Sequence, residues 1–158
     1  METAFNLSSN VVGSSGNGGG NAELGSMLLN ISEKLVSSFV QDTPTEFNKT
    51  VRTSTMEADI QAVGPEKSSD STSVNLLTVK DNTVSVNLSA VAENNDGSAA
   101  LMFMSLNGLD KFLSPRYFPS ENSTSIYSDV VTATLLKTSN TTLPEPLNFT
   151  LPVKVTRI

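Results

Sequence analysis

Hydrophobic positions change period along this chain. Leu24, Leu28, Ile31, Leu35 and Phe39 are spaced by threes and fours, which predicts an amphipathic helix over about 24–40. Asn21 or Ser26 is placed to cap its start. Asp42-Thr43-Pro44 ends it, because proline disfavours helix in the residue before it. The stripe reads as a core face that must pack on the segment that follows.

From about Phe47 the period becomes two. Met56, Ala58, Ile60 and Ala62 alternate with Glu57, Asp59 and Gln61, the pattern of a strand with one wet face. Gly64 to Thr72 is a polar loop, and Val74–Val79 is a second strand. Asp81-Asn82 turns the chain into a third, on which Val84, Val86 and Leu88 alternate. Asn94-Asn95-Asp96-Gly97 is a turn signal, since Asn and Gly tolerate positive φ. Ala99–Met104 is a continuous apolar run, as expected of a strand buried on both faces. Val130–Leu136 is β-branched, and Leu147–Leu151 closes the series after Pro144 and Pro146. One helix followed by six strands with polar connections predicts a mainly β, antiparallel β-sandwich.

Composition adds limits. Residues 1–22 include Gly13-Ser-Ser-Gly-Asn-Gly-Gly-Gly20, a low-complexity linker expected to be disordered. It is not a phosphate loop, because no Gly-Lys-[Ser/Thr] follows. The chain of 158 residues has no Cys, His or Trp. That excludes disulfides, thiolate and imidazole metal sites, and Ser-His or Cys-His nucleophiles. Net charge is −6 with scattered cations, which argues against a nucleic-acid partner or an anionic membrane surface. Among the carboxylates, Glu57 and Asp59 read as a solvated strand face, and Asp96 and Asp110 as turn residues. Arg116-Tyr117-Phe118 reads as an aromatic pair tucking a loop onto the core, or else as a contact patch. No catalytic, cofactor or metal residue is assigned.

Localisation signals pull two ways. Met1–Asn10 has no basic start and no apolar stretch, so no signal peptide is expected, and no run approaches the roughly 18 apolar residues of a membrane span. Yet N-x-[Ser/Thr] sequons begin at Asn6, Asn30, Asn48, Asn87, Asn122, Asn140 and Asn148. Ser, Thr and Asn make up 55 residues, so chance supplies some of these; the excess is modest. If used, they mean a secretory-pathway protein whose N-terminal part lies outside this sequence.

The ordered set of segments resembles the GAIN domain of adhesion G-protein-coupled receptors. The helix Leu28-Leu-Asn-Ile-Ser-Glu-Lys-Leu35 and the strand Met56-Glu-Ala-Asp-Ile60 carry part of the likeness. Val84-Ser-Val-Asn-Leu88 and Ala99 to Leu109 carry more. The most telling blocks are Ser128 to Leu135 and Leu143-Pro-Glu-Pro-Leu-Asn-Phe-Thr-Leu-Pro152. The resemblance implies a partial GAIN domain over 23–152, with its sandwich over about 47–152 and a divergent tail over 153–158. It also implies a cell-surface setting, with the remainder of a receptor (its proteolysis-site strands and seven-helix region) as partner and a further extracellular protein ligand unknown. The family's proteolysis-site motif holds cysteines, tryptophans and a His-Leu-[Ser/Thr] triplet, and this sequence ends before it. No self-cleavage is therefore expected of this chain. A receptor fragment with uncovered faces on Ala99–Met104 and Val130–Leu136, and an unpaired strand edge, would be poorly soluble or molten alone. A stand-alone secreted sandwich module and a soluble enzyme with a carboxylate site remain as alternatives.

Overall fold

The computed structural model describes residues 20–65, 73–109, 126 and 128–153. Helix α1 (Gly20–Ser37) leads into strands β1 (Phe47–Arg52) and β2 (Met56–Val63). Strands β3 (Asn75–Val79) and β4 (Asn82–Val86) form a hairpin, followed by the short helix α2 (Leu88–Glu93). Strands β5 (Ala99–Leu106), β6 (Val131–Leu136) and β7 (Asn148–Thr150) complete the described elements. A four-stranded sheet has the order β1-β2-β5-β6, and a three-stranded sheet the order β3-β4-β7. All pairings are antiparallel. The fold is mainly β, as the alternation implies.

Period two explains how the four-stranded sheet serves two cores. Met56, Ala58, Ile60 and Ala62 of β2, with Ala100, Met102 and Met104 of β5, face α1 and meet Val36 and Val40. Val63, Ala99, Leu101 and Phe103 face the other way, onto Leu77, Val79, Val84 and Val86 of the second sheet and Leu88, Val91 and Ala92 of α2. Every residue of β5 but Leu106 is buried. Each large side chain so placed contributes about 1.5–3 kcal/mol. The apolar run at 99–104 therefore has the two-sided burial its sequence predicts.

Several expectations are corrected. Ala99–Met104 is fully covered, not partly uncovered; β6, which ends the sheet, is partly buried along most of its length, with Val131, Ala133 and Leu135 packed on the inter-sheet core. A seventh strand, β1, pairs with β2 from Phe47↔Ala62 to Arg52↔Glu57. Leu88 does not end a strand; it begins α2, whose N-cap is Asn87. The turn signalled at Asn94–Gly97 is present, and it serves as the exit from α2, with Asp96 at φ 54° and Gly97 at φ 80°. The turn between β3 and β4 is Lys80-Asp81, with Lys80 taking the positive φ of 52°, and Asn82 is already in β4.

The buried side of α1 is also turned from the expected stripe. Gly25, Ser32, Val36 and Val40 are buried, whereas Ile31 is exposed and Leu35 and Phe39 pack at the flank. Small residues allow this approach, because the facing sheet presents Ala58, Ala62 and Ala100. Ser32 enters the interface because its hydroxyl donates back to the Leu28 carbonyl at 2.7 Å. The helix begins at Gly20, so Gly20, Asn21 and Ala22 are helical where a linker was expected; residues 1–19 lie outside the described set.

Candidate functional site

Two groups of polar residues stand apart from the apolar cores: a seam between the sheets, and the sequon asparagines.

The seam is built on the face of β2 that reads as wet. Hydrogen-bonded pairs alternate along an antiparallel hairpin from its two-residue turn, so Leu76 and Thr78 aim their backbone groups away from β4. They point at β2. The Thr78 N–H donates to Asp59 Oδ2 at 2.9 Å, and Gln61 Nε2 donates to the Leu76 carbonyl at 2.8 Å. Asn75 Nδ2 donates to Gln61 Oε1 at 3.3 Å, and Asn75 Oδ1 accepts from Leu88 N–H at 3.3 Å. Side chains of β2 thus satisfy the outer backbone edge of β3 and connect onward to α2.

Asp59 is therefore not on a solvated face; it is 7% exposed. Its Oδ1 is buried without a hydrogen-bond partner among the described residues. Burial pushes its carboxyl above the usual carboxylate range, partly offset by the Thr78 amide. Glu57, on the same face, pairs with Arg52 Nε at 3.1 Å. Asp96 is exposed, and Asp110 and Arg116–Phe118 lie outside the described residues. Among the described residues no group of three or more acidic side chains is placed to hold a metal. The seam is a structural joint between sheets, and alternation alone could not reveal it, because the neighbouring strand is 15 or more residues away.

The sequons sort into distinct environments. Asn48 and Thr50 are exposed on β1, and Asn148 and Thr150 are exposed on β7. Asn140 and Thr142 are exposed before β7, where the Thr142 N–H donates to Asn140 Oδ1 at 2.9 Å. The Asn140 backbone is itself pinned. Its N–H donates to Asn95 Oδ1 at 2.8 Å, and its carbonyl accepts from Asn95 Nδ2 at 2.9 Å. Asn30 is exposed on α1, but its partner hydroxyl belongs to the buried Ser32. Asn87 is 8% exposed, and its Oδ1 accepts the Ala90 N–H at 3.0 Å as the cap of α2. Asn122 lies outside the described residues. The motif locates all of these; only the fold separates the accessible from the engaged.

No helix among the described residues is long and apolar enough to cross a membrane. A comparison with curated proteins gives no match. The family model described as GAIN subdomain B matches residues 37–156, which takes in every described strand and α2.

Proposed function

The chain belongs to the GAIN subdomain B family, the extracellular domain type of adhesion G-protein-coupled receptors, and on that premise we propose that it works as a non-enzymatic, glycosylated part of a cell-surface receptor. The family match over 37–156 is the observation that carries this reading. The chain's role is to hold and present, not to transform. It contains no His or Cys to act as base or nucleophile, and its buried carboxylate Asp59 is used to join two sheets. Its principal partner is the remainder of the receptor, and it contributes to adhesion or signalling only through that longer protein. A net charge of −6 without a basic cluster suits an extracellular protein surface and not nucleic acid.

Antibodies raised against the folded chain test the setting. They should label intact, unpermeabilised cells that express the native gene. Labelling that appears only after permeabilisation would overturn the proposal.

A further inference from the structure

Of the exposed sequons, two lie on strands that end the two sheets among the described residues. Asn48-Lys-Thr50 is on β1, which ends the four-stranded sheet. Asn148-Phe-Thr150 is on β7, which ends the three-stranded sheet. In a strand, residues two apart share a face, so each asparagine and its threonine hydroxyl point the same way. Neither carboxamide is engaged by another described residue. A third edge, that of β3, is already occupied by the side chains of Asp59 and Gln61.

Exposed apolar surface lies beside these two sequons. Leu76, 58% exposed, faces Ser85 across the hairpin, and Ser85 in turn faces Asn148. Two strand spacings, about 10 Å, therefore separate Leu76 from Asn148 on one sheet face. Asn48 shares a face with Gln61 and lines an open groove of about 260 Å³ with Gln61 and Asn75. Val74, 65% exposed, precedes Asn75 there. A strand adding to β1 or β7 would lie about 4.8 Å away and place its side chains in the space a sugar on Asn48 or Asn148 fills.

We propose that Asn48 and Asn148 carry N-linked glycans that block strand addition at β1 and β7 and shade Val74 and Leu76, and that Asn87 carries none. This rests on the extracellular reading above. In the transfer, the carboxamide Nδ2 bonds to the anomeric carbon of an oligosaccharide carried on a lipid pyrophosphate. The bond from that carbon to the pyrophosphate oxygen breaks, the lipid pyrophosphate leaves, and the amide gives up one proton. At Asn87 the folded chain uses the carboxamide for the α2 cap, in a buried position with no room for a sugar.

The test expresses the full chain behind a cleavable leader in eukaryotic cells and recovers it from the medium. Enzymatic release that converts each occupied Asn to Asp, followed by peptide mass measurement, reads every sequon. Occupancy at Asn48 and Asn148 with none at Asn87 is expected. Occupancy at Asn140 without Asn48 or Asn148, or any at Asn87, overturns the inference while leaving the extracellular reading intact. No occupancy anywhere overturns both. Light scattering then compares the glycoprotein with the Asn48→Gln, Asn148→Gln double variant, which should shift to at least dimer mass. Enzymatic trimming of the already folded glycoprotein repeats that comparison without a folding step. An unchanged monomer in the trimmed protein refutes the blocking role.

Discussion

The two sheets use the same alternation to different ends. In the four-stranded sheet both faces of β2 and β5 are covered, one by α1 and the other by the second sheet and α2. In the three-stranded sheet only one face is covered by other described residues. Leu77, Val79, Val84 and Val86 point in, while Leu76, Thr78 and Asn148 stay exposed. A strand between two layers has no face left for free polar groups, so β5 is apolar but for the buried Ser105, and Asp59 and Gln61 of β2 are tied to the backbone of β3. A strand with one layer keeps a wet face, where the domain can meet sugar, solvent or partner.

The sharpest way to break this contrast is to truncate one aromatic ring in each sheet. Phe103 is fully buried between the sheets, and Phe149, 47% exposed on β7, lies 6.2 Å from it. Phe103→Ala should cost about 3–5 kcal/mol in urea unfolding, and Phe149→Ala less than half of that. Equal costs would mean that the inter-sheet layer is not the tightly filled one. Next in size, Asn87→Ala removes the cap that starts α2 above the second core and should cost about 1 kcal/mol by thermal melting. An unchanged melting temperature would show α2 to be held by packing alone.

A smaller effect tests the joint. The Asp59 carboxyl is raised in the folded chain by burial, so between the ordinary carboxylate range and that raised value the native state holds the proton more tightly. Stability therefore falls as pH rises through that window, and Asp59→Asn should flatten this part of the profile. A mutant profile parallel to the native one would rule out Asp59 as its source. Smallest is Arg52→Ala. Its pair with Glu57 leaves the arginine side chain 72% exposed, so a loss of about 0.2–1 kcal/mol is expected, vanishing at high salt.

Which of these features the sequence shows depends on distance along the chain. The run at 99–104 reads as two-sided burial because that is a local property. Strand β1 does not read as a strand. Its inward-facing positions are Phe47, Lys49 and Val51, and the lysine interrupts the alternation while its Nζ sits 3.8 Å from the Phe39 ring centroid. Helix α2 hides because Val84, Val86 and Leu88 continue a strand pattern until Asn87 caps the turn. The stripe on α1 marks a helix, and its Leu35 and Phe39 do pack against the core, but the most buried positions are Gly25, Ser32 and Val36, while Ile31 is exposed. Of the candidate sites, the sequons are local and legible. Their accessibility is not, and neither is the burial of Asp59, because both depend on strands brought together only by the fold.

The joint between β2 and β3 also works as a vernier. Asp59 and Gln61 are two residues apart on one strand, and the groups they hold, on Thr78 and Leu76, are two residues apart on the other. A slip of β3 by one residue would misalign both bonds and turn Leu77 and Val79 to solvent at the same time. The hairpin therefore cannot creep while the larger sheet stays intact, and the two sheets should open as one cooperative unit. The Thr78 amide would then exchange with solvent as slowly as the central amides of β5, although it sits on an outer edge. Exchange at the rate of a frayed edge would show that the two sheets open separately.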